Sequence, residues 1–430
     1  MTKKIQDDNK LYSFLRPYVD HCVRRSYRRF EVHGIENIPK EGSLIFACNH
    51  SNALMDALVV LASSRHKKVF MARGDIFQKP AIAKILWFLR ILPIFRIRDG
   101  FSSVKNNNAE IIDKAIDVVH DEVRFFLFPE GTHRAKHSLL KLSKGVFHIA
   151  LGANDKFGEE KPIYIVPIGV EYSDYYRFRS NTLINYGKPI NVTQFIEDCE
   201  EENEAIIMNK LKSHLYDRMS ELFSFIPDDE YYTPIWEIVK MKNNKRGGSL
   251  YKKMQRNRKT IDKVLKYKEE HPEEAQKLFQ KVEQFADQRI KEKISVYSIA
   301  KRRPLIHNIL KFLATIVLFP FFVAATAVSL PTILITTILR LKLKDRAFLN
   351  TARFGVRFVM SPLIFIGGTI ALFCTLDWWM ALLGSGFIYI SNNLFYDYSE
   401  MVRRWVSDFR WTFKRRLRKQ FKSLNINKLF

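Results

Sequence analysis

The sequence has 430 residues, 47% of them hydrophobic, which is enough for one large domain with an appendage or for two domains. Seventy Lys and Arg against 45 Asp and Glu give a net charge of +25, which indicates an anionic partner: nucleic acid, an acidic carrier or a lipid surface. Four cysteines without a Cys-x-x-Cys pair argue against a zinc ribbon or a disulfide framework.

Two further features narrow the choice of location and of anionic partner. The polar first ten residues lead us to expect no secretory signal. No nucleic-acid-binding motif is recognisable, whereas long uncharged segments occur in the last third of the chain. We therefore expect an anionic phospholipid membrane as a partner and no nucleic acid.

Residues 1–30 predict an amphipathic N-terminal helix. Apolar side chains recur at three- and four-residue spacing between Leu11 and Tyr27, and Arg24 and Arg25 lie off this stripe. Such a helix either lies at a lipid headgroup layer or packs on a protein core with its arginines in water. The sequence leaves both interpretations open.

Residues 31–228 predict an α/β domain, a mixed sheet flanked by helices, because strand-like and helix-like patterns alternate. The predicted strands are Phe30–His33, Ser43–Cys48, Lys67–Met71, Leu92–Ile97, Arg124–Phe128 and Ile163–Gly169. The predicted helices are Ala53–Ser63, Pro80–Leu92, Asn108–His120 and Lys144–Ala153. Ligands of such sheets bind at the carboxyl ends of strands.

One strand end carries a candidate catalytic pair. The apolar run Ser43–Cys48 leads into His50, and Asp56 follows in the first turns of a helix that Ser51 or Asn52 would cap. A neutral imidazole accepts protons near pH 7, and a carboxylate on its other nitrogen fixes the tautomer. Taken alone, the pair is weak evidence for catalysis, because a capping histidine and an aspartate at a helix N-terminus give the same pattern.

Three later strand ends favour a site over a chance pair. They are Leu92–Gly100 with two arginines, Arg124–Arg134 with a Pro-Glu-Gly-Thr loop, and Ile163–Glu171 with a Val-Pro-Ile block. With these motifs in order, residues 25–225 resemble the glycerolipid acyltransferase family, enzymes that acylate glycerol-3-phosphate or lysophosphatidic acid. The matching positions are Asn49, His50 and Asp56, then Phe95–Arg98, Phe128–Arg134 and Val166–Ile168.

The resemblance implies a role for each motif residue. His50 and Asp56 would be catalytic. The substrate's phosphate and glycerol would be bound by Arg96, Arg98, Glu130, Gly131 and Arg134, with Asn49, Thr132 and Pro167 in support. Alternatively, Arg96 and Arg98 only alternate on a half-exposed strand, and the Pro-Glu-Gly run is only a turn. We expect no metal and no cofactor, with acyl-CoA or acyl carrier protein as co-substrate.

Two departures from the family pattern concern the same site. Five residues stand between His50 and Asp56, where the family commonly has four, so we expect the extra residue to be absorbed in the turn. His133 is inserted between Thr132 and Arg134 of the third motif. The chemistry stays plausible, and the choice of acceptor between glycerol-3-phosphate and lysophosphatidic acid stays open.

Residues 229–303 predict a basic helical connector. Twelve Lys or Arg face one acid within Lys240–Lys268, and apolar residues keep helical spacing after the Gly247-Gly248 break. We interpret the region as two helices on an anionic membrane surface. A solvated helical hairpin is the alternative.

Residues 304–399 predict membrane hairpins, and residues 400–430 a basic cytoplasmic tail. Phe358–Ser391 has 34 residues with only Asp377 charged, which suits two spans joined at Asp377. Phe312–Leu339 has 28 uncharged residues between basic flanks, too few for two spans. We predict a re-entrant hairpin bent near Pro320 or Ser329–Pro331, with one tilted span as the alternative.

The sequence as a whole predicts a membrane-bound O-acyltransferase of phospholipid synthesis, anchored through its C-terminal region with the catalytic domain on the cytoplasmic face. Lysophosphatidic acid is the favoured acceptor and glycerol-3-phosphate the alternative. A non-catalytic lipid-binding or tethering protein is a further alternative, which a complete set of motif residues disfavours. A hydrolase is disfavoured because Gly-x-Ser-x-Gly is absent.

Overall fold

A computed structural model describes residues 4–95, 104–201, 203–244, 247–299, 304–343 and 345–430. The chain divides into two compact units. The first comprises Met1–Tyr175 and Ser180–Phe225, and the second comprises Tyr176–Arg179 and Ile226–Phe430.

The first unit alternates strands and helices. Its strands are β1 Arg29–His33, β2 Ser43–Cys48, β3 Lys68–Arg73, β4 Ile91–Ile94, β5 Arg124–Leu127, β6 Ile163–Tyr172, β7 Asn181–Tyr186 and β8 Ile190–Asn191. Its helices are α1 Lys10–Arg25, α2 Leu54–Ser63, α3 Pro80–Phe88, α4 Val104–His120, α5 Gly145–Phe157, α6 Val192–Glu197 and α7 Glu204–Ser220. The predicted alternation of strand and helix is thereby confirmed.

The strands form one mixed sheet in the order β1-β7-β6-β2-β5-β3-β4, with β8 also paired to β6. Neighbours from β6 through β4 pair in parallel, and β7 and β8 pair antiparallel to β6. Parallel pairing needs crossover helices, which α2, α4 and α5 supply. Because β2, β5 and β6 are adjacent and parallel, the loops that follow them leave the sheet at the same edge.

The sheet's central strands are apolar on both faces, since helices cover them. Every residue of β2 is buried, and Ile45 and Ala47 share a hydrophobic core with the α5 residues Phe147 and Ile149. On the sheet's other face Phe46 stacks on Phe126, with ring centroids 4.3 Å apart. A continuous apolar run is typical of a strand covered in this way.

Three details of the first unit differ from the prediction. The helix α3 ends at Phe88 rather than at Leu92, and the predicted strand after it begins at Ile91, one residue earlier than expected. The strands β7 and β8 were not predicted, because polar residues such as Asn181 and Asn191 interrupt their hydrophobic pattern. The N-cap of α2 is Ala53, and neither Ser51 nor Asn52.

The second unit is helical over its described residues. Its helices are α8 Tyr232–Lys242, α9 Leu250–Glu270, α10 Pro272–Lys291, α11 Val296–Ile299, α12 Leu305–Lys342, α13 Leu349–Thr375, α14 Trp378–Phe413, α15 Arg415–Ser423 and α16 Ile426–Leu429. The two helices expected in the basic region are confirmed as α9 and α10. The prediction of an α/β domain followed by a helical region is confirmed as well.

A second hydrophobic core lies within this unit. It joins α8, α9 and α10, through residues such as Ile238, Val264 and Phe285, to chain segments far away in sequence. Trp411 near the end of α14 and Phe430 belong to this same core. The end of the chain therefore completes a helical cluster that begins at Ile226.

Two stretches are long and apolar enough to cross a membrane, judged by length and composition: Leu305–Lys342 and Arg346–Thr375. Many apolar side chains along both are exposed to the surroundings of the protein, which points to association with a membrane. The predicted helical turn at Asp377 is confirmed, because α13 ends at Thr375 and α14 begins at Trp378.

Candidate active site

The site is built on the loop that joins β2 to α2. His50 follows the end of β2 by two residues, and Asp56 lies in the first turn of α2. His50 Nδ1–H donates to Asp56 Oδ2 at 2.8 Å. The five residues between His50 and Asp56 do not prevent contact of the two side chains, because His50 lies outside the helix, as expected.

Backbone hydrogen bonds fix the loop on both sides of the imidazole. Asp56 Oδ2 also accepts the backbone N–H groups of Ser51 at 2.8 Å and Asn52 at 2.6 Å. Asn49 N–H donates to the Ile168 carbonyl at 3.3 Å. A buried backbone donor needs a partner, and in this loop the Asp56 carboxylate is that partner for Ser51 and Asn52.

The extra residue of the loop is accommodated by a tight turn at Ala53. The backbone of Ala53 has φ 46° and ψ −133°, and Met55 N–H donates to the Asn52 carbonyl at 3.0 Å. These angles are those of the first central position of a type II′ turn, which glycine usually occupies. The turn carries backbone strain, as is common beside functional residues.

Asp56 is buried, and its second oxygen is also occupied. Its side chain is 0% exposed, and Tyr172 O–H donates to Oδ1 at 2.7 Å. Burial, followed by the charge of Asp56, raises the pKa of the Tyr172 phenol well above its usual value, which keeps the hydroxyl a donor. Each oxygen of Asp56 therefore accepts at least one hydrogen bond, which compensates for the loss of water.

Glu130 joins the loop after β5 to the loop between β2 and α2. Its Oε1 accepts the His50 backbone N–H at 2.7 Å, and its Oε2 accepts the Leu140 N–H at 2.8 Å. Burial raises the pKa of Glu130 to about 7, against the opposing effect of these two hydrogen bonds. A further hydrogen bond joins the same two loops: Arg134 N–H donates to the His50 carbonyl at 3.0 Å.

Aromatic rings position the imidazole. The Phe128 ring stacks on His50 with centroids 4.4 Å apart, and the inserted His133 meets it edge to face at 5.5 Å. The His50 side chain is 18% exposed. Asp56 binds its Nδ1, so Nε2 is the ring nitrogen that can face a ligand. This arrangement suits a base that takes a proton from a ligand.

The residues assigned to support lie around this loop in different ways. The Asn49 side chain exchanges two hydrogen bonds with the backbone of Val170, at 3.1 and 2.6 Å, and so extends the β2–β6 pairing. Pro167 is buried within β6 opposite Ala47. Thr132 is partly buried in the loop after β5, and Gly131 there has φ +64° with open space where a Cβ would lie.

The predicted arginines are placed unequally. Arg134 lies in the same loop as Glu130, with its backbone bound to His50. Arg96 and Arg98 lie outside the described residues, after the end of β4. Their assignment to the substrate's phosphate therefore stays a prediction.

Sequence reasoning missed Tyr172 and the stacking role of Phe128. Tyr172 is the last residue of β6, and β6 is parallel to β2, so the rule that assembled the other motifs at one sheet edge applies to it as well. Phe128 was within the third motif, but an apolar residue at a strand end gives no sign that it will stack on an imidazole.

The fold and the site together define the class of protein. Residues 29–171 match the family described as Acyltransferase, so this segment is an acyltransferase domain and the predicted resemblance is confirmed. The segment contains β1 to β5 and β6 up to the residue before Tyr172, and with them His50, Asp56 and Glu130.

Named relatives are similar to part of the chain. Glycerol-3-phosphate O-acyltransferase 2 of Saccharomyces cerevisiae is 30% identical over 116 residues, 26% of this chain and 16% of the relative. The 1-acyl-sn-glycerol-3-phosphate acyltransferase alpha proteins of Mus musculus and Homo sapiens are 26% and 27% identical, over 37% and 34% of this chain and 52% and 48% of theirs. The matches thus span about half of the mammalian relatives and less of the yeast one.

Among solved structures, one similar chain is the 1-acyl-sn-glycerophosphate (LPA) acyltransferase PlsC from Thermotoga maritima. It is 19% identical, with a TM-score of 0.35, and the match covers 50% of this chain and 83% of that one.

Proposed function

We propose that this protein is a membrane-bound O-acyltransferase that moves a fatty acyl group from a thioester to a glycerol-phosphate acceptor. The observation that carries the proposal is the His50–Asp56 pair, joined at 2.8 Å at the carboxyl edge of an acyltransferase sheet. Relatives named for either acceptor are similar to part of this chain, which also supports the proposal.

The chemistry follows from the hydrogen bond at Nδ1. Because Nδ1–H is held by Asp56, Nε2 is the nitrogen that takes the proton of the acceptor's hydroxyl as its oxygen attacks the thioester carbonyl. The tetrahedral intermediate then collapses, the C–S bond breaks, and His50 returns the proton to the leaving thiolate. No acyl-enzyme is required, since a thioester is already activated.

Positioning of the acceptor rests on positive charge near the site. Arg134 shares a loop with Glu130, and we assign it, with Arg96 and Arg98, to the phosphate of the acceptor, for which guanidinium geometry is suited. Glu130 has both oxygens on backbone N–H groups, so in this structure it also fixes the loop that carries His50. Lysophosphatidic acid is the favoured acceptor, and glycerol-3-phosphate is the second candidate because of the yeast relative.

The donor and the location are part of the same proposal. A net charge of +25 suits acyl-CoA or acyl carrier protein, both of which are acidic, and also an anionic leaflet. We place the catalytic domain on the cytoplasmic face, since the basic segments around the apolar helices favour that side.

The test is acyl transfer by the purified full chain from labelled acyl-CoA or acyl carrier protein to each of the two acceptors. His50→Ala should lower turnover by about 10²–10⁴-fold, the usual contribution of a general base, and leave membrane association unchanged. Wild-type turnover in His50→Ala would refute the mechanism. Absence of transfer to either acceptor by the folded wild type would refute the proposed activity and favour the tethering alternative.

A further inference from the structure

The course of α12 is fixed by its contacts with α14. Lys311 Nζ donates to Asp408 Oδ2 at 2.6 Å, near the end of α14. Further along, Ser329 Oγ donates to Ser391 Oγ at 3.4 Å. As the residue number rises in α12 it falls in α14, by nearly the same amount, so α12 is straight and antiparallel to α14 as far as Ser329.

The helix α13 is also antiparallel to α14. The Phe365 and Tyr389 rings are 6.2 Å apart, and the Ile388 side chain closes over Gly368, where a Cβ would lie 2.7 Å from Ile388 Cδ1. At about 1.5 Å per residue, Leu349 at the start of α13 lies about 28 Å from Gly368, toward the Trp411 end of α14.

These two registers are incompatible with a straight α12. A straight helix would carry Lys342 about 20 Å past Ser329, toward the Asp377 end of α14, whereas Leu349 lies about 24 Å from Ser391 in the other direction. The seven residue steps from Lys342 to Leu349 reach at most about 25 Å. They cannot cover about 44 Å, so the chain between Ser329 and Lys342 turns through about a right angle or more.

Pro331 is the residue at which such a turn is expected. It follows Ser329 by two positions and has no N–H to donate to the preceding helical turn. Proline is well suited to the first turn of a new helix, so two helical segments can meet there without a gap between them. Thr332 and Thr336 are buried, which shows that the segment after the turn packs on protein along one side.

We propose that α12 is a re-entrant element that dips into a lipid bilayer and returns to the face from which it entered. Lipid hydrocarbon surrounds its outer side, because Val317 before the turn is 68% exposed and Leu341 after it is 82% exposed. Only the α13–α14 hairpin then reaches the opposite face, at Leu376–Asp377. This topology is independent of whether the first unit transfers acyl groups.

The distribution of charge supports the same topology. The stretch Arg340–Arg357 has six basic residues and one acid, and residues 400–430 have ten basic residues and two acids. Basic segments next to membrane helices stay on the cytoplasmic side. A re-entrant α12 keeps both on that side, whereas one straight span would place both on the opposite side, because α13 and α14 cross and return.

The topology can be tested by cysteine labelling in sealed vesicles with a membrane-impermeant maleimide. Lys291→Cys, Leu343→Cys and Trp378→Cys are introduced singly into the full chain after replacement of Cys22, Cys48, Cys199 and Cys374. Lys291, which is exposed before α12, and Leu343, which follows α12, should react as cysteines from the same side, and Trp378→Cys only from the other. Reaction of Lys291→Cys and Leu343→Cys from opposite sides would overturn the proposal, as would reaction of all three from one side.

A distance measurement tests the turn itself and does not depend on vesicle orientation. Spin labels at Val317 and Leu341, both exposed, should lie within about 26 Å of each other if α12 turns near Pro331. A straight helix would separate the two backbones by about 36 Å. The longer distance, in protein whose α13–α14 hairpin is intact, would refute the turn.

Discussion

At the scale of single residues, the loop between β2 and α2 depends on two carboxylates that accept backbone hydrogen bonds. Asp56 accepts the N–H groups of Ser51 and Asn52 as well as the imidazole, and Glu130 accepts that of His50. Replacing either carboxylate would therefore disturb the loop as well as the chemistry. Loss of activity alone cannot separate the two effects.

Tyr172 offers a cleaner test, since its hydroxyl touches Asp56 and not the imidazole. Tyr172→Phe should lower kcat by about 10- to 100-fold with little change in KM, because a hydrogen bond to a charged group contributes about 1.5–3 kcal/mol. Steady-state kinetics with purified protein measure this split. Tyr186→Phe is the matched control, since it removes a buried hydroxyl bonded to Ser63 at 2.6 Å, away from Asp56. Equal losses of kcat in both variants would contradict a positioning role.

Ala53 gives a second prediction at this scale. Because its φ of 46° and ψ of −133° suit glycine, Ala53→Gly should raise the thermal midpoint or leave it unchanged, despite the greater freedom of glycine in the unfolded chain. Ala57→Gly, inside the same helix, should cost about 1 kcal/mol. Thermal unfolding of the detergent-solubilised variants compares the two. A larger loss at Ala53 than at Ala57 would show that the turn is not strained.

At the scale of elements, α14 contributes to two different environments. Its first part packs against α12 and α13, and its last turns carry Trp411 into the core of the α8–α10 cluster. Lys311 and Ser298 bind the Asp408 carboxylate at 2.6 and 2.7 Å, one turn before Trp411. This end of the helix is therefore held by a polar network and by a hydrophobic core.

Trp411→Ala should destabilise the cluster by about 3–5 kcal/mol, as expected for a buried aromatic side chain that is 3% exposed. Phe413→Ala, two residues on and 60% exposed, should change stability by no more than about 0.5 kcal/mol. Limited proteolysis of α9 and α10 in the two variants measures the difference. Similar resistance to protease in both would mean that the cluster is stable without α14.

Sequence patterns predicted most strands and helices of the first unit and the position of its site, but not every contact within it. Buried strands such as Ser43–Cys48 were predictable because they are continuous apolar runs, and the site followed from the strand ends. The cap of α2 was not, because the chain turns at Ala53 before the helix begins, and Asp56 accepts the N–H groups of Ser51 and Asn52 in that turn. Tyr172 was missed because its role depends on the pairing of β6 with β2, a contact between distant parts of the chain.

At the scale of the whole molecule, the chain combines an acyltransferase domain with a helical unit whose apolar helices point to a membrane. The site residues that could be found from sequence all lie in the first unit. The second unit was harder to predict, since its cluster is assembled from Ile226–Ile299 and residues after Trp411, and no local pattern relates the two. The sequence showed the basic and apolar segments but not which of them share a core.

The late contribution of Trp411 has a consequence for biosynthesis. Ribosomes add about 5–20 residues per second, so about 8–30 seconds pass between the appearance of Ile261 and that of Trp411, which share one core. During this interval the apolar sides of the nascent α9 and α10 lack part of their cover. We expect these helices to be the part of the chain on which a chaperone acts longest during translation.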